Sequence, residues 1–136
     1  MNKKLVQKIY AAFKNKDHKT IIDLQTEDVE WSVAASPDKV PWAGRSRGHK
    51  GVTNFLKTVG DYLVPEAFGI QHFAETENIV IAVGYQAGHI KATGDHYEYD
   101  FVHVWELNNG KVSRLRVYFD SAYVAASVAG EQKTAV

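Results

Sequence analysis

A strict alternation between Glu98 and Ser121, EYDFVHVWELNNGKVSRLRVYFDS, does most to limit what this chain can fold into. Tyr99, Phe101, His103, Trp105 and Leu107 fall on every second position, the repeat that a pleated strand turns into one face. The segment NNG interrupts the pattern and a second alternating run follows, which predicts a β-hairpin. A three-residue loop with Gly110 in the left-handed conformation pairs Leu107 with Lys111. In that register His103 faces Leu115, Phe101 faces Val117 and Tyr99 faces Phe119, all on an apolar face. On the other face Val104 and Val102 meet Arg114 and Arg116, with Asp100 opposite Tyr118 and diagonal to Arg116. A two-residue loop would set His103 against Arg114 and scramble both faces. His103 is therefore expected to point inward. It is either a core residue satisfied by a hydroxyl or a water, or a pocket residue that moves a proton.

The rest of the chain says what covers that face. Leu5, Val6, Ile9, Tyr10 and Phe13 recur at helical spacing, so residues 3–15 read as an amphipathic helix. Asp17 is placed to cap a second short helix, HKTIIDLQ. Val29, Trp31 and Val33 mark a first strand, and AASPDKVPWAGRSRG reads as a long loop carrying Trp42. Val52, Phe55, Leu56, Val59 and Leu63 mark a third helix. Two alternating rows follow, Phe68–Ile70–His72–Ala74 and Ile79–Ile81–Val83–Tyr85, joined by the turn ETEN. Asp120 or Ser121 caps a last short helix, and a loose tail is expected over 129–136. Helices first, then strands joined by hairpins, argue an α+β domain over residues 1–128, with helices covering one face of a curved, largely antiparallel sheet.

Composition narrows the function classes. The formal net charge is zero and no basic block occurs, so a nucleic-acid partner is not expected. There is no cysteine, which removes disulfides and thiolate chemistry. The histidines on strands lack metal-binding spacing, and no phosphate cradle or nucleophilic serine motif is present, so neither a metal nor a cofactor is expected. Gln7, Lys8, Lys14 and Lys16 break up any hydrophobic leader, and no apolar run reaches membrane length, so a cytoplasmic protein with no membrane partner is expected.

Three segments taken together resemble the SnoaL-like branch of the nuclear transport factor 2-like superfamily. They are VQKIYAAFKNKDHKTIIDLQTEDVEWSV, WAGRSRGHKGVTNFL and DFVHVWELNNGKVSRLRVYFDSAYVAA. The resemblance implies a cone, a curved sheet wrapped around a long helix with a hydrophobic pocket at one end. It also implies relatives of mixed function, from polyketide cyclases and ketosteroid isomerase to non-catalytic modules, so the fold alone names no reaction. By position, the isomerase base falls near Val33 and its oxyanion pair near Val102 and Ile9, none of which matches. The cyclase histidine matches His103, whereas the cyclase aspartate falls near Val117. The nearest acid, Asp120, lies on the opposite parity and suits a helix cap better than a proton carrier.

The expected site is therefore His103 as base or donor, with Asp120 as a weaker candidate. Trp31, Tyr99, Phe101, Trp105, Val117, Phe119 and Tyr10 form the expected wall, and Trp42 is either a lid or a plug. The expected ligand is a small apolar carbonyl compound, for isomerisation, cyclisation or dehydration by proton transfer. A non-catalytic binding module is the alternative, and the outer sheet face is a candidate homodimer surface.

Overall fold

Val6, Ile9, Tyr10 and Ala12 line one side of the first helix, α1 (Asn2–Lys14), and that side is buried. The computed structural model of the chain describes residues 2–130, so most of the expected tail lies outside the described residues. Asp17 caps α2 (His18–Asp23) by accepting the Thr20 backbone N–H at 3.2 Å. The chain then enters β1 (Gln25–Val33), where Val29, Trp31 and Val33 are buried as their alternation predicts.

The long loop is shorter than the sequence suggests. Its last residues form a short edge strand, β2 (Gly44–Arg47), antiparallel to β1. Helix α3 (Gly48–Tyr62) follows and buries Val52 and Leu56, while Leu63, expected at its end, begins β3 (Leu63–Glu75). Next come β4 (Ile79–Ile90), β5 (His96–Asn108), β6 (Lys111–Phe119) and α4 (Ser121–Val128). The six strands form one sheet in the order β2-β1-β6-β5-β4-β3. All neighbours run antiparallel except β1 and β6, which are parallel.

Two bulges change the expected registers. The β5–β6 turn has two residues, Asn109 and Gly110, both at positive φ, and Asn108 pairs with Lys111. A bulge between Glu106 and Leu107 then adds one residue on β6, so His103 faces Val117 and Phe101 faces Phe119, not Leu115 and Val117. The turn shifts the register by one and the bulge by one more, so parity is kept and His103 points inward as expected. On the outer face Val104 meets Arg116 and Val102 meets Tyr118. Arg114 and Arg116 both reach Glu106, at 3.9 and 3.5 Å, and Asp100 is not their partner.

The second bulge lies in β3 between Ile70 and His72. It breaks the predicted row: Phe73 packs against the core and His72 is exposed. On β4 the even positions Val80, Ala82, Gly84, Gly88 and Ile90 are buried, so Ile81 and Tyr85 lie on the outer face, 36% and 38% exposed.

The interior divides into two apolar clusters. One gathers Val6, Ile9, Ile21, Trp31, Trp105 and Leu115 under α1, α2 and α3. The other gathers Val33, Val40, Trp42, Leu63, Ile90, Tyr97 and Val124 near α4. Each Val- to Phe-sized side chain so buried contributes roughly 1.5–3 kcal/mol. Phe55 and Val117 pack against both clusters.

Candidate functional site

His103 sits beside the first cluster, against Tyr10 and Trp105. Its strand neighbours on the inner face are Ala82 on β4 and Val117 on β6. The small side chain of Ala82 leaves room above the sheet, and Gly84 does the same for the next residue inward, Phe101. A Cβ at Gly84 would lie 2.3 Å from the Gly69 carbonyl oxygen and 2.8 Å from the Phe101 ring. With glycine there, Phe101 lies parallel to its neighbours. Its ring stacks on His103 at 4.0 Å between centroids and on Phe68 at 5.3 Å.

The polar end of the site comes from α1. The Tyr10 hydroxyl lies 2.7 Å from His103 Nδ1, and the Trp105 indole N–H donates to the same hydroxyl at 2.9 Å. Three side chains from two elements are thus tied at one oxygen, since Tyr10 comes from α1 and the other two from alternate inward positions of β5. The other ring nitrogen of His103, Nε2, makes no hydrogen bond among the described residues. His103 as a whole is 9% exposed.

Burial sets the charge states. Desolvation drives the His103 pKa down from 6.5 to about 3, so the ring is neutral near pH 7. Burial pushes the Tyr10 phenol well above its usual value, against a smaller opposing pull from the Trp105 hydrogen bond. Tyr99 is raised in the same way, by burial and then by Tyr97. No carboxylate is buried among the described residues, and no three His, Asp or Glu side chains among them converge as a metal cluster would require. Such an arrangement can hold and polarise a neutral ligand. It offers no acid–base pair of the cyclase kind.

The other expected residues have varied places. Trp31 and Trp105 are core, 1% and 0% exposed, and the Trp31 indole donates to Gln25 at 2.9 Å. Val117 and Phe119 are half-buried beside His103 and Phe101, and Tyr99 packs on Phe119 at 5.5 Å. Trp42 is buried in the second cluster against Tyr62, which suits a plug. Asp120 is exposed, and its carboxylate accepts the Tyr123 backbone N–H at 3.1 Å, as a cap of α4.

A cleft of about 250 Å³ opens between α1 and β3, lined by Gln7, Tyr10, Ala11, Lys14, Phe68, Ile70 and Phe73. Tyr10 is the one member of the expected wall that lines it. Sequence reasoning did not single out the β3 residues, because the bulge that turns Phe73 inward has no signature in the hydrophobic pattern. Gly84 did carry a signal, as a glycine in the middle of an apolar strand.

Comparison with known proteins gives the fold a wider setting. Among the described residues no helix is long and apolar enough to cross a membrane. No curated protein matches the chain. An NTF2-like protein of unknown function from Burkholderia pseudomallei superposes with a TM-score of 0.87 at 23% identity, over 93% of this chain and 96% of that one. TerC, solved after co-crystallisation with polyporic acid, superposes with a TM-score of 0.85 at 26% identity, over 94% and 98%. A Bacillus subtilis protein with a provisional isomerase name gives 0.80 at 22% identity, over 93% and 91%. The family model of the SnoaL-like domain matches residues 6–115. With that match running from the first helix into the last strand, the chain belongs to the SnoaL-like domain family.

Proposed function

We propose that this chain binds a small, largely apolar molecule bearing a carbonyl group, and that His103 is the polar group that orients it. One observation carries the reading: a buried, neutral histidine beside the first apolar cluster has one nitrogen held by Tyr10 and the other without a hydrogen-bond partner among the described residues. In a low-dielectric setting a hydrogen bond to a carbonyl oxygen both fixes a ligand and polarises it. Polarisation acidifies the adjacent carbon, and cofactor-free isomerisation, cyclisation or dehydration would require a base such as solvent water to take that proton, since no buried carboxylate stands beside His103 among the described residues. A ring with a pKa near 3 is a poor proton acceptor, which favours the donor role over the base role, the two left open by the sequence. TerC was crystallised with polyporic acid, and at 26% identity it makes that compound a sensible first probe.

The test is a thermal-shift screen of polyporic acid, steroid enones, terpenoid ketones and fatty acids on the wild type and His103→Gln. A ligand at about 100 times its dissociation constant should stabilise the fold by ~2.7 kcal/mol. A hit that weakens in His103→Gln supports the reading. Equal shifts in both proteins, or no shift from any class, would remove it.

A second reading concerns the outer face of the sheet. Ile81, Tyr85 and Tyr118 are 36%, 38% and 43% exposed there, which favours a homodimer through that face. Sedimentation of the wild type against Ile81→Asp checks this. A dimer that becomes a monomer supports it, and a wild-type monomer rules it out.

A further inference from the structure

We infer that Tyr10 and Trp105 are positioning residues that hold His103 as its Nε2–H tautomer, so that the site presents a hydrogen-bond donor and selects ligands by an acceptor oxygen. The ligand half of this inference rests on the binding role proposed for His103, and the tautomer half stands on geometry alone.

The Trp105 indole nitrogen is a donor only, and it donates to the Tyr10 oxygen at 2.9 Å. The Tyr10 hydroxyl carries one proton of its own. Its other partner among the described residues is His103 Nδ1, 2.7 Å away. If Nδ1 carried a proton, the Tyr10 oxygen would accept twice and its own proton would have no acceptor. An unmade bond from a buried hydroxyl costs on the order of 1–3 kcal/mol. The arrangement that gives every proton an acceptor runs one way, from the Trp105 N–H to the Tyr10 oxygen and from the Tyr10 O–H to Nδ1. A neutral imidazole has a single N–H, so it must then be at Nε2.

The ring is packed on two sides, and the assignment follows from Nδ1 lying against the Tyr10 hydroxyl. Phe101 lies parallel to it at 4.0 Å and 16°, and Trp105 stands edge-on at 6.0 Å and 84°. Tyr10 itself is buried, 5% exposed, and packs against Phe68, Phe73 and Trp105 as well as His103. The hydroxyl is therefore as fixed as the ring it addresses. Nε2, with no hydrogen-bond partner among the described residues, is the atom left to meet a ligand. A ketone, quinone or other carbonyl oxygen can accept from it. A group that can only donate would set its proton against the N–H.

Long-range proton–nitrogen NMR of the histidine ring nitrogens in the ligand-free protein at pH 7 tests the tautomer directly. The expected spectrum has a protonated Nε2 and an unprotonated Nδ1 for His103, and Tyr10→Phe should give a mixture of both tautomers. A protonated Nδ1 in the wild type would overturn the inference, and so would a Tyr10→Phe spectrum identical to it. The wild-type measurement decides even if Tyr10→Phe folds poorly. Titration with 9-fluorenone and with fluorene, its analogue without the oxygen, tests the selection. The wild type should prefer the ketone by about tenfold, and Tyr10→Phe should lose most of that preference; equal affinities in the wild type would overturn it. A protein that bound no ketone of any kind would remove the binding role proposed above while leaving the tautomer result to stand or fall by itself.

Discussion

The Tyr10 hydroxyl and His103 Nδ1 lie 2.7 Å apart, joined across 93 residues of sequence. That bond fastens the first helix to the middle of the sheet and fixes the polar point of an otherwise apolar cluster. Because the Trp105 N–H uses the same oxygen, removing it would leave two buried groups without partners.

Tyr10→Phe should therefore destabilise the fold by about 2–6 kcal/mol, more than one ordinary hydrogen bond, since two unsatisfied groups cost ~1–3 kcal/mol each. Urea unfolding followed by tryptophan fluorescence measures this. A loss of only a few tenths would mean that water replaces the hydroxyl freely.

Acid should weaken the protein through His103. The folded pKa of about 3 lies below the unfolded value near 6.5, so the unfolded chain takes up the proton first as pH falls. Stability from this group is full above pH 6.5 and declines by up to about 1.4 kcal/mol per unit between 6.5 and 3. Between pH 7 and pH 5 the wild type should lose about 2 kcal/mol more than His103→Gln. Parallel denaturant curves at the two pH values check it.

Two glycines should respond in opposite senses. Gly84→Ala puts a methyl 2.3 Å from a backbone oxygen and 2.8 Å from the Phe101 ring, and should cost about 1–3 kcal/mol or more while disturbing the stack on His103. Gly60, inside α3, has open space around it, and Gly60→Ala should stabilise by about 0.5–1 kcal/mol. Thermal melts of the two variants provide the comparison.

Asp120→Ala should lose about 0.5–2 kcal/mol through the α4 cap and leave ligand affinity unchanged. Melting temperature and affinity measured on the same preparation separate capping from proton transfer.

Features set by local chemistry could be read from the sequence. The caps at Asp17 and Asp120, the face of α1 and the alternation of β5 needed only neighbours in the chain. The inward direction of His103 was legible for the same reason, although its register was not. A two-residue turn and a one-residue bulge each shift that register, and their sum preserves which face a side chain takes. Strand β3 shifts register twice, between Pro65 and Ala67 and again between Ile70 and His72, and past the second shift the expected row through His72 failed and Phe73 took the inner place. Strand β2 stayed hidden because four residues, GRSR, are too few and too polar to show a period. The bond from Tyr10 to His103 depends on how a helix lies across a sheet, which no local pattern carries.

The central claim is that His103 Nε2–H is the atom a ligand meets, and the most direct test follows both ring nitrogens of His103 by NMR while 9-fluorenone is added. The account predicts that Nε2 and its proton move with saturation while Nδ1, still held by Tyr10, changes little. Binding that shifts other residues and leaves both His103 nitrogens in place would contradict it.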